Sequence, residues 1–178
     1  MPVRRLRRSS SLREPGATID RRRRSRARFG GLGAAGGGHG DFVMYLLDTD
    51  TLIYGLKGVP AVTENFRRRA DKPMALSVIT YGELIYGATK SAHATENLAR
   101  VRRVAALYSV IDVSQAIMDT FALLKAQLEA AGQRLDDFDL VIAATALALG
   151  FRLVTNNERH FKRVQGLPVE NWSKRASR

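Results

Sequence analysis

Cysteine is absent from all 178 residues. Its absence excludes disulfides, zinc–thiolate centres and thiol nucleophiles together, and it fits a reducing, cytoplasmic setting. Histidine is almost as scarce: His39, His93 and His160 lie far apart and form no paired-histidine metal motif. No apolar run approaches the roughly 20 residues that a membrane span needs. The longest, Leu140 to Leu149, is alanine-rich and reads as a buried helix.

Positive charge is abundant but unevenly placed. Residues 1–43 hold eleven arginines against Glu14, Asp20 and Asp41, which is +8 of the chain's +12, while residues 44–178 carry only +4. A nucleic-acid reading drawn from overall basicity would therefore rest mainly on one segment. That segment combines arginine runs with the glycine-rich stretch Gly30 to Gly40 and shows no apolar period. It cannot bury enough surface to offset its chain entropy, so residues 1–43 are expected to be a disordered basic extension. In order of preference it is read as a mis-assigned start with Met44 the true one, as a basic RNA-binding arm, or as an Arg-rich transit peptide.

From Met44 the pattern alternates. Strands are expected at 45–47, 75–79, 110–113, 152–155 and, at an edge, 169–172. Helices are expected at 51–56, 61–70, 81–90, 95–108, 115–131 and 138–149, with a short turn at 158–161. Gly132 and Gly150 are placed to close the two long late helices. Strands alternating with helices imply an α/β fold, a parallel sheet covered on both faces.

Ligands in such a sheet bind beyond the carboxyl ends of the strands, near a reversal of strand order. Acidic and amide side chains collect at those ends: Asp48 after the first strand with Asp50 two residues on, Glu83 in the first turn after the second strand, Asp139 at the start of the buried helix, and Asn157 after the fourth strand. Several carboxylates at one desolvated place repel one another, and a hard divalent cation with oxygen ligands, Mg²⁺ or Mn²⁺, removes that cost. Each residue also has a purely structural reading. Asp48 and Asn157 could be helix N-caps, Thr80 to Glu83 spells a capping box, and Asp136, Asp137 and Asp139 suit a helix N-terminus.

The segment Met44 to Ile53, with its Asp48-Thr49-Asp50, resembles the opening of VapC-type PIN domains. Ser77 to Leu84 is similar to their S-x-x-T-x-x-E-L motif, Asp139 to Ala144 to their D-x-x-I-A-A, and Leu153 to Phe161 to their final T-x-[DN] and phenylalanine. The four motifs fall in family order over residues 44–175, so residues 44–178 are expected to form one PIN domain. The resemblance implies a three-layer α/β/α fold with a central, mainly parallel sheet of four to five strands. It implies a Mg²⁺- or Mn²⁺-dependent endoribonuclease, the toxin of a type II toxin–antitoxin pair, hydrolysing RNA by metal-activated water.

The implied residue roles follow. Asp48, Glu83 and Asp139 would hold the metal, with Asp50 adding charge where many members carry Asn. Asn157 stands where many members carry a fourth Asp, which weakens a second metal site. Thr49, Ser77 and Thr155 would be hydroxyls that orient the carboxylates. A homodimer and a VapB-like antitoxin are implied partners, with Tyr54, Leu84 and Tyr86 as groove residues. Candidate RNA phosphate contacts are Arg67, Arg68, Arg69, Arg102, Arg103, Lys162 and Arg163.

Two alternatives compete. Leu46 to Leu52 also resembles the aspartyl-nucleophile motif of haloacid-dehalogenase-like phosphatases, in which Asp48 would attack phosphate and Asp50 would be the acid/base. With Asn157 in the last acidic position, the domain could instead be a catalytically weak RNA- or antitoxin-binding module.

Overall fold

The computed structural model describes residues 43–174. The expected extension therefore lies, but for Val43, outside the described residues. Five strands form one sheet in the order β3-β2-β1-β4-β5, every pair parallel: β1 (Tyr45–Leu47), β2 (Met74–Ser77), β3 (Ser109–Ile111), β4 (Arg152–Val154) and β5 (Val169–Glu170). Seven helices connect them: α1 (Thr49–Leu56), α2 (Pro60–Arg68), α3 (Val78–Thr89), α4 (Ala94–Leu107), α5 (Gln115–Ala130), α6 (Asp137–Leu149) and α7 (Glu158–Phe161). Among the described residues no helix is long and apolar enough to cross a membrane.

The strands are apolar at consecutive positions, and both faces of the sheet are covered. Leu46, Ala75 and Leu153 point to one side, into a core completed by Ile117, Leu124, Leu140, Ile142 and Phe161 from α5, α6 and α7. Tyr45, Leu47, Leu76 and Val154 point to the other, into a core with Leu52, Val62, Leu84, Val101 and Trp172. A strand whose neighbouring side chains enter different cores must be apolar throughout, as parallel strands usually are. The helix–sheet–helix sandwich is the three-layer α/β/α arrangement expected.

Several boundaries differ from expectation, each for a local reason. The run Val78-Ile79-Thr80 is β-branched and reads as strand. The strand nevertheless ends at Ser77, which has extended φ and ψ and accepts the Thr80 N–H on its side chain as an N-cap. Helix α3 thus starts three residues early, so Glu83 is its sixth residue rather than part of its first turn. Asp48 likewise caps α1, which begins at Thr49 rather than Thr51. Pro60 opens α2 at N1, where its missing N–H costs nothing. Gly150 closes α6 in the left-handed region, with φ 67°.

The tail is tied back onto the sheet. The Trp172 ring is buried and meets Tyr45 and Phe66 edge-on at centroid separations of 5.3 and 5.2 Å. The Arg69 guanidinium lies 5.0 Å from the Trp172 ring centre. The Trp172 Nε1–H donates to Glu170 at 2.7 Å, and Glu170 also pairs with Arg152 and Arg69.

Candidate active site

Strand β1 sits at the centre of the sheet, where the strand order reverses: β2 and β3 lie on one side, β4 and β5 on the other. A crevice at the carboxyl ends is expected there. Asp48 is the first residue past β1, and its N–H donates to the Val154 carbonyl at 3.0 Å, clamping the ends of β1 and β4 together. The Thr51 hydroxyl donates to the same carbonyl at 3.0 Å.

The Asp48 side chain is 7% exposed. One oxygen accepts the Thr49 N–H at 2.8 Å and the other accepts the Thr155 hydroxyl at 2.7 Å. Asp50, in the first turn of α1, accepts the Asn156 N–H on both oxygens, at 3.2 and 3.0 Å. Its Oδ2 is 3.5 Å from the Thr155 hydroxyl, so two carboxylates flank one Oγ1. The same Oγ1 accepts the Asn157 N–H at 3.0 Å. Asn157 reaches by its side chain to His160 Nδ1 at 2.8 Å, and that nitrogen is 3.3 Å from Asp139 Oδ2. Glu83 accepts the hydroxyl of Thr49 on its Oε2. Hydrogen bonds thus link Asp48, Asp50, Asn157 and His160, whose Nδ1 in turn abuts Asp139, and Thr49 connects Glu83 to Asp48 along the chain.

Burial first, then the charge of Asp50 and more weakly that of Asp139, pushes the Asp48 carboxyl up to about 7, against the lowering effect of its bonds from Thr155 and Thr49. Among the described residues, no lysine or arginine forms an ion pair with Asp48, Asp50, Glu83 or Asp139. The acids are therefore relieved by hydroxyls and backbone N–H groups.

This donor set is chemically suited to a hard divalent cation. A second sign is the amide of Asn156, next to the Asp50 contact: both its polar atoms are buried without a hydrogen-bond partner. Such an orphan costs about 1–3 kcal/mol, and the water shell of a cation would supply what it lacks. Among the described residues no three acidic or histidine side chains close on one point as a ready-made cage. Water and substrate must then complete the coordination, as is usual for Mg²⁺.

Some expected residues lie elsewhere. The Ser77 hydroxyl is spent on α3, accepting the Thr80 N–H and donating to Thr80 Oγ1, both at 3.0 Å, and it orients no carboxylate. Leu84 is core and not groove lining, whereas Tyr86 is 64% exposed and Tyr54 36%. Arg67 and Arg68 both bond Glu64, Arg69 is held by Glu170 and two aromatic rings, and Lys162 pairs with Glu158. Arg163 donates to the Arg134 carbonyl at 3.2 Å, while Arg102 and Arg103 are exposed on α4. His160 was missed because its partners, Asn157 and Asp139, come from different elements. The one sequence signal was its place one helical turn past Asn157.

Thr155 is the hinge of the network, and its loss is the most local test of it. Thr155→Val keeps the shape but removes the hydroxyl, and it is expected to lower activity by about 10–100-fold, the usual effect of deleting a group that orients a metal-binding side chain. Unchanged turnover in a folded Thr155→Val variant, measured on RNA, would rule out this orienting role.

Comparison with known proteins agrees with the geometry. A PIN domain family model matches residues 45–167. The chain is 38% identical over 130 residues to a tRNA(fMet)-specific endonuclease VapC of Shigella flexneri, covering 72% of this chain and 98% of that protein. It is 37% identical over 129 residues to ribonuclease VapC2 of Haemophilus influenzae, covering 72% and 97%. The structure of VapBC2 from Rickettsia felis, bound to a DNA fragment from its promoter, superposes with a TM-score of 0.69 at 32% identity, covering 73% of this chain and 99% of that one. None of these supports the phosphatase alternative. With the parallel sheet, the acidic switch point and these matches together, the chain belongs to the VapC branch of the PIN-domain family.

Proposed function

We propose that this protein is a divalent-metal-dependent endoribonuclease, the toxin of a VapBC-like pair, acting at the site built around Asp48. The observation that carries the reading is the buried Asp48 carboxylate at the switch point, joined through Thr155 to Asp50 and through Thr155, Asn157 and His160 to Asp139, with no lysine or arginine among the described residues paired to it. Asp48, Asp50, Glu83 and Asp139 are the residues that would hold Mg²⁺ or Mn²⁺. When bound, the cation lends Lewis acidity to water and to the scissile phosphate.

The chain's own groups keep those oxygens in place. Thr155 fixes the Asp48 carboxylate, the Asn156 N–H fixes Asp50, and Thr49 fixes Glu83. The two bonds to the Val154 carbonyl, from the Asp48 N–H and the Thr51 hydroxyl, keep α1 and β4 from parting as RNA binds. The products carry 5′-phosphates and 3′-hydroxyls. A VapB-like antitoxin, a homodimer and a cytoplasmic location complete the reading. The antitoxin is supported by the solved VapBC relative, and exposed Tyr54 and Tyr86 are the side chains offered to it.

The test is cleavage of total transfer RNA by the full chain, with Mg²⁺, with Mn²⁺ and with chelator, beside Asp139→Asn. The expected result is cation-dependent cutting that leaves 5′-phosphates and falls by about 10²-fold or more in the variant, the size expected for loss of a charge-stabilising group. Cutting that persists in chelator or in Asp139→Asn would sink the proposal.

A further inference from the structure

We propose that His160 is itself a ligand of the divalent cation, standing beside Asp139, and that its nitrogen tilts the site toward Mn²⁺ over Mg²⁺. The inference rests on the metal-dependent reading above and assigns a donor that the carboxylates alone do not provide.

The first argument is spacing. Around a cation with ligand bonds of roughly 2.0–2.2 Å, adjacent octahedral donors stand about 3 Å apart. His160 Nδ1 and Asp139 Oδ2 are 3.3 Å apart, within a few tenths of an ångström of that bite. They come from different elements, α7 and α6, so neither helix periodicity nor a shared turn explains the approach.

The second argument is where the protons are. The Asn157 amide nitrogen lies 2.8 Å from Nδ1, and with the amide in this orientation Nδ1 accepts, which assigns the ring proton to Nε2. Nδ1 then faces Asp139 Oδ2 with no hydrogen between them, an electron-rich pair waiting for an electrophile. A cation at that edge replaces the amide N–H as the partner of the lone pair and turns a repulsive contact into two bonds.

The third argument is substitution of function. The amide of Asn157 occupies a place where a carboxylate was expected, and it bonds His160 instead of offering a negative oxygen. The edge of the site lacks one hard anionic donor and has gained an imidazole. His160 is 47% exposed by its side chain, so both cation and substrate phosphate can reach it. Nitrogen donors bind Mg²⁺ poorly and transition-metal ions better. The choice of cation is thereby placed on one residue.

The experiment uses the full chain and its His160→Gln variant, with Asp48→Asn and Asp139→Asn as controls for the site. Free Mn²⁺ is followed by room-temperature electron paramagnetic resonance, Mg²⁺ binding is read by competition, and pulsed measurement on the bound Mn²⁺ looks for directly coordinated ¹⁴N. The expected result is a ¹⁴N coupling in the native protein that vanishes in His160→Gln. Mn²⁺ affinity should fall by about 10-fold or more while Mg²⁺ affinity changes by less than about 3-fold.

Absence of the ¹⁴N coupling, its survival in His160→Gln, or equal losses for the two cations would overturn the proposal and leave His160 as a residue that only positions Asp139. Those outcomes leave the carboxylate site standing as long as Asp48→Asn and Asp139→Asn abolish binding. Mn²⁺ binding indifferent to both aspartates would instead overturn the metal reading itself, and this inference with it.

Discussion

Replacing Asp48 with asparagine is expected to stabilise the cation-free protein above pH 7 while lowering its RNA cleavage by about 10²–10³-fold. The two effects share one cause. In the folded chain the Asp48 carboxyl is held at about 7, against 3.8 for the unperturbed group, by burial and by the charges of Asp50 and Asp139. Between these two values the folded state retains a proton that the unfolded chain has released. This group's contribution to stability therefore falls as pH rises from about 4 to about 7, and stays low above that. One pKa unit is worth about 1.4 kcal/mol, so the strain on the ionised site is on the order of 4 kcal/mol. Asparagine keeps the shape and the acceptor for Thr155 but cannot ionise. Its melting temperature should exceed that of the native chain at pH 8 in chelator, with the gap closing toward pH 4. Added Mn²⁺ should raise the native melting temperature and leave the variant's unchanged. A variant less stable than the native chain at pH 8 would mean that Asp48 is an ordinary cap whose charge the fold welcomes.

Replacing Trp172 with alanine is expected to cost about 3–5 kcal/mol, the range for deleting a large buried aromatic side chain. The loss is larger than the ring alone suggests, because three charged groups are arranged around it. Arg69 lies over the ring, Glu170 takes the indole N–H, and Arg152 shares that carboxylate. Removing the indole leaves a cavity between Tyr45 and Phe66 and strips Glu170 of one donor. Phenylalanine at 172 should recover most of the packing but not the hydrogen bond, and cost about 1 kcal/mol for that alone. Urea unfolding of the two variants would decide the matter: a midpoint for Trp172→Ala equal to that of Trp172→Phe would show that the ring's volume contributes little.

The fold was legible because its signals are consecutive in the chain. Leu46 and Leu47 announce a strand buried on both faces, and Gly150 announces the end of a helix, without reference to anything distant. Asp48, Asp50 and Asp139 could be picked out by the same logic, since a strand end or a helix start fixes where each one lies. Boundaries failed where a local preference lost to a cap. The β-branched run after Ser77 reads as strand, yet the Ser77 side chain starts a helix there and so moves Glu83 into its second turn. Ser77 differs from expectation because its single hydroxyl proton goes to Thr80 Oγ1, which leaves none to donate to a carboxylate. Arg67, Arg68 and Arg69 looked like phosphate contacts because sequence shows their charge and not their partners, Glu64 and Glu170. His160 is the opposite case. Its neighbours are fixed by how α6 and α7 meet, which no spacing rule describes.

The central strand also sets a timetable. β1 finds β2 within about thirty residues of chain, but its other edge waits for β4, and Thr155, which follows β4, stands 107 positions beyond Asp48. Pairings of such long range form late. Until that strand arrives Asp48 has neither its hydroxyl nor the Val154 carbonyl to hold it, and Asp139 has no His160 beside it. Closing the second edge of the central strand is therefore the step that brings the acids of the site together.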